Sequence, residues 1–65
     1  MIIKVTIAQG FNYGESILIN SDEIHHAYRD RDMTAIIFRK GNELKVMENV
    51  DEIWELCNKV EAEVK

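Results

Sequence analysis

Two β-rich runs flanking a tight turn constrain this chain more than any other stretch. Residues 33–47 read Met-Thr-Ala-Ile-Ile-Phe-Arg-Lys-Gly-Asn-Glu-Leu-Lys-Val-Met, with Lys40-Gly41-Asn42 as the turn. Thr34, Ile36 and Phe38 point to one side of a pleated strand, and Ala35, Ile37 and Arg39 to the other. A strand that is apolar on both faces for much of its length belongs in the middle of a sheet. The pattern therefore predicts a central hairpin, with Phe38 in the core and Gly41 at positive φ.

Around this hairpin the chain supplies three further strands and one helix. Residues 2–8 alternate, with Ile3, Val5 and Ile7 on one face and Ile2, Lys4, Thr6 and Ala8 on the other, which is a half-buried strand. Gln-Gly-Phe-Asn-Tyr-Gly-Glu over 9–15 is a loop in which Gly10 and Gly14 can take φ > 0. Residues 16–20 resume the alternation, Ile17 and Ile19 against Leu18. Residues 21–32 fit either a short helix capped by Ser21 and Asp22 or a strand over 24–29. The strand is preferred, because Asp30-Arg31-Asp32 then makes a short hairpin link. From Asn49 the period becomes 3.6, with Asn49 and Glu52 spaced as a capping box, and a helix is expected over 50–64. Its apolar stripe is Val50, Ile53, Cys57, Val60 and Val64, flanked by Leu56 and Trp54. The expected fold is one small α+β domain, an antiparallel sheet of four to five strands packed on one C-terminal helix.

Length and charge then exclude function classes. A 65-residue domain buries only about 60% of the surface that its unfolded chain exposes. One cysteine allows no intrachain disulfide, and no Cys/His spacing suggests structural zinc, so self-association is the expected support. Residues 1–47 hold six acids and six bases, whereas 48–65 hold six acids and two bases. An acidic C-terminal helix repels phosphates and disfavours nucleic acid. The candidates against that trend are Arg29, Arg31, Arg39 and Lys40, which a sheet edge would have to gather despite interspersed Asp30, Asp32 and Glu43. No apolar run approaches a membrane span and no export signal is visible, so with a lone reduced cysteine the expected location is the cytoplasm.

Three stretches carry a family resemblance. They are Met1-Ile2-Ile3-Lys4-Val5-Thr6, Ile19-Asn20-Ser21-Asp22-Glu23-Ile24, and 34–46 from Thr-Ala-Ile-Ile-Phe to Leu-Lys-Val, followed by Glu48 and a helix. With these the chain resembles the FlbD/SwrD family of small flagellar and swarming-motility proteins, which implies a motility-accessory role. The order of elements also looks like the strand portion of LytTR DNA-binding domains. The chain departs from the family in its longer Gln-Gly-Phe-Asn-Tyr-Gly loop and its acidic Asp30-Arg31-Asp32 link.

No set of residues specifies a reaction. Among the nucleophiles Ser16, Ser21, Thr6, Thr34 and Cys57, only Ser21 has a histidine near in sequence, and it lacks the glycine-rich elbow of a hydrolase. Gly10 and Gly14 lack the Lys and Ser/Thr that complete a phosphate loop. Adjacent strand residues point to opposite faces, so His25 and His26 are not expected to share a metal, and no cofactor is expected. Phe11 and Tyr13 either anchor an interface or fold back over the core, and Trp54 at the helix border poses the same choice. The expectation is a non-enzymatic protein-interaction module that forms a homodimer and uses Phe11, Tyr13 and Trp54. The alternatives are the motility role and nucleic-acid binding through Arg29, Arg31, Arg39 and Lys40.

Overall fold

The computed structural model describes residues 1–58. Its elements are β1 (Ile2–Thr6), β2 (Ser16–Asn20), a 3-10 turn (Ser21–Glu23), β3 (Ile24–Asp30), β4 (Met33–Phe38), β5 (Glu43–Val46) and α1 (Val50–Asn58). The α+β class is as the sequence implies, and residues 24–30 are a strand. The expected single sheet is replaced by two antiparallel ones, β1-β2 and β3-β4-β5. They meet at one bridge, Ile7 with Val46, where Ala8 N–H donates to Lys45 O at 2.9 Å and Met47 N–H to Thr6 O at 2.8 Å. The contact is too short to merge them: β1 uses one backbone edge for β2 and meets the end of β5 only through Thr6 and Ala8 on the other.

The core forms where the alternating faces of both sheets meet. Ile3 and Val5 from β1, Ile19 from β2, Ile36 from β4, Val46 from β5 and Ile53 from α1 are its buried members. Ile3 faces Ile19 and Val5 faces Ile17 across the first pair of strands, so cross-strand aliphatic contacts tie them together. Ile36, Val5 and Val46 are fully shielded from solvent. Phe38, expected in the core, is half-buried and packs against its margin beside the turn.

β4 is central in its sheet and covered on both faces. Ala35, on the side opposite Ile36, is fully buried between its cross-strand neighbours Tyr28 and Lys45. The Lys45 ammonium pairs with Asp30 at 3.1 Å and lies 3.9 Å from Glu43. The aliphatic stem thus covers the sheet while the charge reaches the rim.

Turns follow from local chemistry. Gly41 has φ +97°, as expected, and Phe38 closes the turn through Gly41 N–H to Phe38 O and Phe38 N–H to Asn42 O. The β3–β4 link is only Arg31-Asp32, and Arg31 sits at φ +61°. A positive φ in a two-residue link matches the twist of the strands, but a side chain there is strained. Arg31→Gly is therefore expected to raise stability by up to about 1 kcal/mol, because the relief of strain exceeds the extra glycine entropy lost on folding. A urea melt showing a less stable glycine variant would contradict that account of the turn.

The helix start is closed as a reciprocal capping box. Glu52 N–H donates to Asn49 Oδ1 at 2.7 Å, and Asn49 N–H donates to Glu52 Oε1 at 2.8 Å. The buried stripe is Ile53 with Leu56 and Cys57 half-buried, spaced i, i+3, i+4, while Val50 of the expected stripe and its flank Trp54 are exposed. Residues 59–64 of the expected helix lie outside the described residues.

Candidate interaction surface

Two main-chain devices shape the loop between β1 and β2. Ile7 N–H donates to Glu15 O and Gly14 N–H donates to Ile7 O, both at 2.8 Å, while Gly10 and Gly14 both take φ +88°. Tyr13 N–H reaches Gly10 O at 3.2 Å and Glu15 N–H reaches Asn12 O at 3.0 Å, so the loop is bonded within itself. This turns Phe11 and Tyr13 outward. Phe11 is wholly exposed and Tyr13 is 65% exposed, which overturns the option that they fold back over the core.

Large apolar exposure continues elsewhere. Trp54 is 68% exposed on the solvent side of α1. Ile2 and Leu18, on the outward side of the β1-β2 pair, are 60% and 67% exposed. The central strand β4 is apolar on both faces. The structure covers that strand from within the chain and leaves the exposure on the two-stranded sheet, the first loop and the helix. Ile2 and Leu18 were visible as the residues out of phase with Ile3, Val5, Ile17 and Ile19.

The basic candidates separate into two pairs. Arg29 Nε donates to Arg31 O at 2.9 Å at the β3–β4 end, and Arg39 Nε donates to Asp22 O at 2.8 Å at the other end of β4, where Lys40 also sits. The length of β4, on the order of 15–20 Å, lies between them. Arg29 shares its depression with Asp32 and Asp51.

A bulge corrects the reading of the histidines. The β3–β4 register shifts between Ile24 and His26, which brings the two imidazoles edge to face with Nδ1 atoms 2.8 Å apart, both rings exposed. His26 also stacks on Tyr28. Among the described residues no group of three or more His, Cys, Asp or Glu is placed to hold a metal ion.

Two titrating groups are displaced by their surroundings. Burial against the helix stripe pushes the Cys57 thiol up, which disfavours its reactive thiolate. The hydrogen bond to Asp30 raises Lys45, so this contact is intact below the amine's ordinary pKa and is lost as pH rises through the elevated one. A further depression joins Glu48, Glu52 and Glu55 to Lys4 and Leu56.

The fold and surface describe a small α+β protein with exposed aromatic and aliphatic side chains, and among the described residues no helix is long and apolar enough to cross a membrane. No protein-family model, curated protein or solved structure matches the chain.

Proposed function

We propose that this chain is a non-enzymatic protein–protein interaction module that self-associates as a homodimer, with Phe11, Tyr13 and Trp54 among its contact residues. The observation that carries the reading is the exposure of Phe11, Tyr13, Leu18, Ile2 and Trp54 at 60% or more on a chain of 65 residues. Aromatic side chains in this setting supply most of the energy of protein interfaces, and contiguous apolar surface on a small protein marks an interaction site. A motility-accessory role of the FlbD/SwrD type rests on the strand and turn residues quoted above and is compatible with such a module. The free, partly buried Cys57 supports a reducing, cytoplasmic setting. Nucleic-acid binding is the weaker reading, since Arg29 and Arg31 stand at the opposite end of β4 from Arg39 and Lys40.

Sedimentation equilibrium at micromolar concentration tests the proposal. The expected result is a species of about twice the 7.6 kDa chain mass, shifted toward monomer in Phe11→Ala or Trp54→Ala. A folded 7.6 kDa species at every concentration would refute it.

A further inference from the structure

Resting on the self-association reading, we propose that the second copy binds along the open edge of β2, antiparallel, on a two-fold axis through Leu18. The phase of the β1–β2 ladder fixes which groups are available. Ile7 N–H bonds to Glu15 O at one end and Ser21 N–H bonds to Met1 O at the other, so Ile3–Ile19 and Val5–Ile17 are the hydrogen-bonded pairs between. By alternation, Leu18 turns its N–H and C=O away from β1, with Ser16 and Asn20 in the same phase. Among the described residues, no backbone bond from another segment reaches this edge.

β2 and β3, the edge strands on the far sides of the two sheets from the Ile7–Val46 bridge, differ in protection. β3 carries a bulge between Ile24 and His26 and the charges of Arg29 and Asp30, devices that discourage strand addition. β2 reads Ser-Ile-Leu-Ile-Asn, with no charge, no proline and an unbroken register. On a chain of net charge −4, this uncharged strand is where two copies approach with least repulsion.

The strand is also complementary to itself. A two-fold axis at Leu18 places Leu18 opposite its copy, Ile17 opposite Ile19 and Ser16 opposite Asn20. Leu18 and its symmetry mate become a hydrogen-bonded pair, and the two β1-β2 pairs join into one four-stranded sheet. Ile17 and Ile19 extend the apolar inner face, while Leu18 and its mate meet on the outer face between the Lys4 residues of the two copies. Short-edge pairing buries less than a standard interface, so the dimer forms at micromolar rather than nanomolar concentration.

The test uses the full chain in two variants besides the natural one. Leu18→Lys changes a side chain that is two-thirds exposed, so the melting curve, read at a concentration where the natural chain is also monomeric, should stay in place. Like charges then meet across the axis, and the dimer dissociation constant should rise roughly tenfold or more. Leu18→Cys in a Cys57→Ser background should cross-link with oxidised glutathione, because directly opposed hydrogen-bonded residues sit about 5.5 Å apart between Cα atoms, within disulfide reach. Asp32→Cys in the same background, on the β3–β4 link, should not. A monomeric natural chain overturns both self-association and the edge pairing. A dimer that survives Leu18→Lys, or a dimeric sample in which Leu18→Cys fails to cross-link, overturns the edge pairing and leaves self-association standing.

Discussion

Ile36→Ala is expected to cost roughly 2–5 kcal/mol, the largest loss of any single truncation in this chain. Ile36 has no solvent exposure and sits on the central strand of its sheet, opposite Ala27 on β3 and Leu44 on β5. Removing its side chain opens a cavity against Val5, Val46 and Ile53, the point where both sheets and the helix share one core. Nothing nearby can collapse to fill it without moving a whole element. A domain of this size has a total stability on the order of 3–10 kcal/mol, so the variant will be close to its unfolding midpoint in water. Phe38→Ala is expected to cost less despite the larger side chain, because Phe38 is already partly exposed at the core margin. Urea denaturation of both variants checks the order. A Phe38 loss exceeding the Ile36 loss would move the centre of the core toward the Lys40-Gly41-Asn42 turn.

What the sequence carried was mainly local. Alternation placed the strands, the Asn49/Glu52 spacing placed the helix start, and Gly41 marked its turn, because each signal depends on residues within a few positions of one another. Long-range features were hidden for the same reason. That β1 touches β5 at a single bridge depends on Met47 and Lys45, some forty residues on, and leaves the sheet divided in two. The histidine bulge illustrates a second limit. Strict alternation sends His25 and His26 apart, but one extra residue in β3 resets the phase and brings the rings together. The helix stripe shows a third. Val50, Ile53 and Cys57 share a face by angle, yet only contact with β1, β3 and the core decides whether Leu56 or Trp54 turns inward, and Leu56 does. Among the surface candidates, Phe11, Tyr13 and Trp54 are exposed, while Arg29 and Arg31 stand at the opposite end of β4 from Arg39 and Lys40.

Glu48→Ala is expected to cost about 1–3 kcal/mol, because it strips the partner from a backbone group that the sheets themselves leave unpaired. Thr6 ends β1 in the phase that faces away from β2, so its N–H is not used in the β1–β2 ladder. Its C=O accepts from Met47 N–H, but its N–H lies just outside the Ile7–Val46 bridge. The Glu48 carboxylate fills that gap. Oε1 accepts from Thr6 N–H at 2.8 Å and Oε2 accepts from Thr6 Oγ1 at 2.9 Å, two bonds spanning 42 positions at a part-buried site. Ionised acceptors make bonds roughly twice as strong as neutral ones, and here they hold the first sheet to the residue just before the helix cap. Thr6→Val removes only the hydroxyl bond and should therefore cost less than Glu48→Ala, while Glu48→Gln, which keeps one acceptor and loses the charge, should fall between. A double-mutant cycle of Thr6→Val with Glu48→Ala, read by urea denaturation, should return a coupling of roughly 0.5–3 kcal/mol. Additive losses would mean that the carboxylate stabilises the helix start alone and that the seam between the sheets is held by its backbone bonds.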